Sequence, residues 1–120
     1  MTEDDVVSFI TASIPSVWAL ETLLLLKRSA PDRKRVDQIV SSLRSSELAI
    51  TQGLNRLEQA GLITQSGGFY EYRPASGLLA SLADEIVRLY AMKPVWLMNV
   101  ILNAKNENLQ VFANSFRLKE

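Results

Sequence analysis

The residues best suited to specific polar contacts gather in one stretch, 46–59, as Ser46, Glu47, Thr51, Gln52, Asn55, Arg56 and Gln59. Thr51, Gln52 and Asn55 have short or amide side chains that can exchange hydrogen bonds with base edges, and a Gln amide suits adenine. Arg56 has the reach for guanine or for a phosphate, and Ser46 stands at a helix start, where anions bind. Ile50, Leu54 and Leu57 recur at the spacing of one helix face, which turns the polar residues, with Ala49, to the other side. Lys34 and Arg35 open the preceding helical pattern, in position for backbone phosphates. Arg44 falls in the turn between the two helices, and Arg73 follows the second strand of a hairpin. The expected contacts to double-stranded DNA are therefore Lys34, Arg35, Arg44, Ser46, Glu47, Thr51, Gln52, Asn55, Arg56 and Arg73. The plainer alternative is an ordinary solvated helix face.

Other chemistry has little to work with. The 120 residues include no His and no Cys, which removes the commonest general base, disulfides and thiolate metal sites. Asp84 and Glu85 are adjacent, so on a helix they diverge and make a poor acid–base pair. No Gly-rich phosphate loop follows a strand, and no metal-ligand cluster is visible. No enzymatic activity, cofactor or metal is expected. The 13 basic and 13 acidic residues cancel, which argues against coating nucleic acid through bulk charge. The charge is unevenly spread, however. Residues 1–26 hold four acids and no base, residues 27–56 hold seven bases and three acids, and residues 57–120 hold six of each. The net +4 segment coincides with the helix pair described above.

The elements that must position these residues can be read along the chain. Thr2 and Asp5 have capping-box spacing ahead of a short helix over 3–11, whose first turn is acidic. Ser16 caps a second helix to about 28, apolar over most of its circumference and therefore central. Val36, Ile39, Val40 and Leu43 mark a third helix, and Ser46 caps a fourth over 47–60. Gly61 suits a left-handed helix end. The period then changes to two, with strands at 62–65 and 69–72 around Ser66-Gly67-Gly68. Ser76 caps a long helix over 77–92, Pro94 opens another to about 103, and a last helix starts near 106 or 108 with Leu109, Phe112, Ala113 and Phe116 on one face. Trp18, Trp96, Phe112 and Phe116 are expected in the core. The fold class is mainly α with a small β-hairpin, in one domain spanning 1–120.

A short helix, a three-residue turn, a longer helix and a hairpin form the winged helix-turn-helix order. From Val36-Asp37-Gln38-Ile39-Val40 and Leu43 through Arg56-Leu57-Glu58-Gln59-Ala60-Gly61-Leu62-Ile63, the chain resembles small bacterial winged-helix transcription regulators, the broad MarR-like and PadR-like group. The resemblance covers 17–73, with additional N- and C-terminal helices. It implies a sequence-specific DNA-binding transcription regulator with the 47–60 helix in the major groove. It also implies that helices in 76–120 serve dimerisation. The chain departs from the pattern at Glu47 and Gln52, where related regulators often carry Arg, and at the wing tip, which lacks a cation.

The helix over 77–92 has two apolar rows, Leu78, Leu82, Ile86 and Leu89 beside Leu79, Ala83, Val87 and Tyr90. One row serves a monomer, so the second is expected to face a twin subunit, with Leu78, Leu79, Leu82, Ile86, Leu89 and Tyr90 as dimer contacts. The alternative function is a winged-helix adaptor that binds a protein partner, with weak or no DNA binding. No apolar run is long enough to span a membrane, and the acidic N-terminus is unlike a signal peptide, so the expected location is the cytoplasm. Nothing in the sequence specifies a small-molecule effector.

Overall fold

A computed structural model describes residues 2–103 of the chain. Its elements are α1 (Glu3–Ser13), α2 (Val17–Ser29), α3 (Val36–Leu43), α4 (Glu47–Gln59), β1 (Ile63–Ser66), β2 (Phe69–Tyr72), α5 (Gly77–Met92) and α6 (Pro94–Asn103). The molecule is mainly helical, with one small antiparallel hairpin. The helix expected from about 106, with Phe112 and Phe116, lies outside the described residues.

Local chemistry accounts for most element boundaries. In the α1 capping box, Asp5 N–H donates to Thr2 Oγ1 at 3.3 Å and Thr2 N–H donates to Asp5 Oδ2 at 3.0 Å. The Thr2 N–H bond, then the Thr2 hydroxyl, favour the carboxylate and hold the Asp5 carboxyl below its ordinary range. Ser16, Ser46 and Ser76 accept from Ala19, Ala49 and Leu79 N–H and start α2, α4 and α5. A serine cap of this kind is worth about 1 kcal/mol. Gly67 and Gly68 both have positive φ, at 58° and 83°. They form the two-residue loop that the twist of a tight hairpin requires. Ile63 pairs with Tyr72 and Ser66 with Phe69.

The buried residues form one cluster, with α2 at its centre. Leu20, Leu23 and Leu26 are fully covered, and the buried Thr22 hydroxyl is satisfied by donating to Trp18 O at 2.8 Å. Trp18 itself is 39% exposed, which corrects its expected core position. It lies in the first turn of α2, where the helix end leaves part of the ring uncovered. Trp96 is half-buried. The α2–α4 crossing is tight: a Cβ on Gly53 would lie 3.1 Å from Ala19 Cα. This close approach fixes α4 against the core through Ile50, Leu54 and Leu57 and leaves its opposite face uncovered.

The expected dimer rows divide differently. Leu82, Ile86 and Leu89 are buried within this chain, with Ala83. Leu79 packs against the core beside Gly61, and Tyr90 donates to Glu21 Oε1 at 2.7 Å. Only Leu78, among the six expected contacts, is exposed, at 65%. The two rows are used because α5 is covered on more than one side within its own chain. Its periodicity does not distinguish that burial from a subunit interface.

Candidate nucleic-acid interface

The α3–α4 connection is set by an unusual backbone. Arg44 caps α3 in the left-handed region, at φ 54° and ψ 46°, with its N–H directed to Val40 O. A non-glycine residue costs about 1–2 kcal/mol in that conformation. The turn leaves the Arg44 side chain exposed. Ser46 then accepts from Ala49 N–H, and its hydroxyl proton remains free to meet an anion at the helix start.

On α4, Leu48, Gln52, Asn55 and Gln59 are all exposed and follow one another at four, three and four residues. That spacing stacks them in a single stripe opposite Ile50, Leu54 and Leu57. Leu48 is 68% exposed and lies in the middle of the polar positions. It belongs to neither the buried nor the polar set expected from the sequence. Its register with Gln52 and Asn55 already placed it on the outer face. Thr51 and Ala49 are half-buried at the flanks of the stripe.

Arg56 does not belong to this stripe. Its Nη2 donates to Ala12 O at 3.0 Å, at the C-terminal end of α1. There the guanidinium meets carbonyls that the helix leaves without partners, at the negative end of its dipole. The bond ties α4 to α1 and holds Arg56 to one side of the stripe rather than within it. Arg73 follows β2, as expected, and so lies away from the stripe and the hairpin tip. Its N–H donates to Leu62 O at the root of the hairpin, beside Glu58 and Pro74, at the end opposite the Gly67-Gly68 tip.

Lys34 and Arg35 are held more firmly than a loop would hold them. Lys34 and Tyr70 exchange two backbone hydrogen bonds, each 2.8 Å, so residue 34 forms an isolated antiparallel bridge beside β2. Arg35 N–H donates to Gln38 Oε1, and its guanidinium lies 5.9 Å from the Phe69 ring centroid and 3.4 Å from Asp37 Oδ1. A shallow groove results between α3, the start of α4 and the hairpin tip, lined by Arg35, Val36, Asp37, Val40, Glu47 and Gly68. Two carboxylates, Asp37 and Glu47, therefore face the same space as Arg35. The hairpin is anchored from the other side by Lys27, which contacts Asp84 at 2.8 Å and lies over Tyr72 at 5.3 Å. Burial raises the Tyr72 phenol above its ordinary value; Lys27 opposes the shift and Asp84 adds to it.

Among the described residues, no group of three His, Cys, Asp or Glu side chains is arranged to hold a metal ion. No single described helix is long and apolar enough to cross a membrane. No family model, curated protein or solved structure matches this chain.

Proposed function

We propose that the chain is a winged helix-turn-helix transcription regulator that binds double-stranded DNA with α4 in the major groove. The observation that carries this reading is the uncovered stripe of Leu48, Gln52, Asn55 and Gln59 on α4, opposite its core face. Lys34, Arg35 and Arg44 provide cations on α3, the turn and the hairpin edge, where phosphates flank an inserted helix. Position 44 has a left-handed backbone that would suit glycine better, and the arginine there places an exposed cation just before the inserted helix. The wing supports α3 and α4 through Lys34 and Tyr70 and brings its tip beside Glu47.

Homodimerisation belongs to the same proposal, since two α4 helices would read half-sites about one helical turn apart. With most of the α5 rows inside the monomer, the large apolar side chains exposed on these helices among the described residues are Leu78, Val87 and Met92 on α5 and Val95 and Leu102 on α6. Sedimentation at tens of micromolar tests this, and a monomer at that concentration removes the dimer from the proposal.

A second reading, a winged-helix adaptor for a protein partner, is favoured by one observation. The groove between α3, the start of α4 and the hairpin tip holds the Asp37 and Glu47 carboxylates, which repel phosphates. Selection of bound fragments from genomic DNA at moderate salt separates the two. DNA binding predicts an enriched motif that Gln52→Ala or Asn55→Ala weakens by about 1–3 kcal/mol each. It also predicts that removing Lys34, Arg35 or Arg44 lowers the salt slope by about one per lost phosphate contact. Recovery of unselected DNA, together with a stoichiometric protein partner, overturns the DNA reading in favour of the adaptor.

A further inference from the structure

Resting on the DNA-binding reading, we infer that α4 specifies an A·T-rich half-site, with Leu48 against a thymine methyl and Gln52 and Asn55 on adenine edges. The stripe contains one large apolar side chain and three amides, and no cation. In the major groove, guanine offers two acceptors, O6 and N7, which are met best by Arg or Lys. Arg56 is the only arginine within α4, and it projects to the side of the stripe, where its Nη2 donates to Ala12 O at 3.0 Å. Guanine therefore has no strong reader on the face that enters the groove. Adenine offers a donor and an acceptor side by side, the pattern an amide matches with two hydrogen bonds.

Leu48 completes the assignment. Leu48, one turn before Gln52, is 68% exposed among the described residues. A thymine C5-methyl is the apolar group that the major groove presents, and it would bury part of the Leu48 side chain. Glu47, beside it, accepts hydrogen bonds but donates none in its ionised form. Its compatible base is cytosine, through N4–H, at the edge of the A·T run. Lys34 and Arg35 are held on the hairpin side of α3, where they meet phosphates without adding sequence information.

The test is selection of bound duplexes from a random library with the full chain, followed by replacement of the selected thymine with deoxyuridine. The wild-type protein should enrich a motif with adjacent A·T pairs. Removing the single methyl group should weaken its binding by roughly three- to fivefold, the scale of one buried methyl. Leu48→Ala should bind the thymine and deoxyuridine duplexes equally. An enriched motif with guanine at the α4 positions, or equal sensitivity to deoxyuridine in wild type and Leu48→Ala, overturns this inference and leaves the DNA-binding reading intact. Absence of any enriched motif in the wild type overturns the DNA-binding reading itself.

Discussion

Arg56 and Leu48 are both exposed on α4, and neither does what its side-chain type alone suggests. The arginine closes the end of α1 through Ala12 O, and the leucine stands in the open. Side-chain type is a weak guide on a helix whose burial is set by its neighbours, whereas register is a strong one. Tyr90 makes the same point for a residue expected at a dimer interface. Its hydroxyl donates to Glu21 Oε1 at 2.7 Å and joins α5 to α2. The hydrogen bond to Glu21, then burial, then the Glu21 charge raise the Tyr90 phenol above its ordinary value. Tyr72 is raised as well, chiefly by burial. For a group raised in the folded state, the stabilisation is fully present below the unfolded value, about pH 10 for tyrosine, and is lost as pH rises through the folded value. Tyr90→Phe should therefore cost about 1 kcal/mol at neutral pH. It should also show a shallower loss of stability above pH 10 than the wild type, measured by urea unfolding at a series of pH values. An alkaline fall identical to that of the wild type would show that the Tyr90–Glu21 bond has no part in it.

At the scale of elements, boundaries follow from short-range chemistry and orientations from single close approaches. The serine caps of α2, α4 and α5 and the Gly67-Gly68 loop lie at the positions read from sequence, because each satisfies a need within about four residues. The α2–α4 crossing has a different cause, the absent side chain of Gly53 above Ala19 Cα. In a helix interior, glycine to alanine gains about 1 kcal/mol of helix propensity. Here the added Cβ meets backbone at 3.1 Å, and overpacking of this kind costs about 1–3 kcal/mol. Gly53→Ala should thus be near neutral in thermal unfolding. Gly53→Val, whose branched side chain cannot fit without separating the helices, should lose roughly 2–3 kcal/mol. A Gly53→Val protein as stable as the wild type would mean that the crossing is looser than the 3.1 Å approach indicates.

At the scale of the molecule, α5 decides how much apolar surface remains for a partner. Ile86 is fully buried and Leu78 is 65% exposed, although both stood in the same expected row. Ile86→Ala should destabilise the chain by about 2–5 kcal/mol, as cavity-forming substitutions in a core do. Leu78→Ala should change the unfolding midpoint by less than about 0.5 kcal/mol. If Ile86→Ala instead leaves unfolding unchanged and only alters the oligomeric state, Ile86 belongs to an interface and the burial described above is wrong. The charge distribution is also a property of the whole. The chain is neutral, but Lys34 and Arg35 are secured beside the hairpin and Arg44 precedes α4, while Lys27 is paired with Asp84 on another side. In the proposed regulator, weak bulk attraction makes base contacts and dimerisation the main sources of selectivity.

The sequence by itself determined the order and type of the described elements, their caps, the hairpin loop and the central place of α2. Each of these is encoded in a period or in a contact a few residues long. Only the tertiary structure decided that Arg56 serves α1, that Lys34 extends the hairpin, that Leu48 faces outward from an uncovered stripe, and that most of the α5 rows are interior. Those outcomes depend on residues that meet across long separations, such as 44 positions between Arg56 and Ala12. A periodic pattern states which face of a helix is apolar. What covers that face is settled by the packing of the remaining chain.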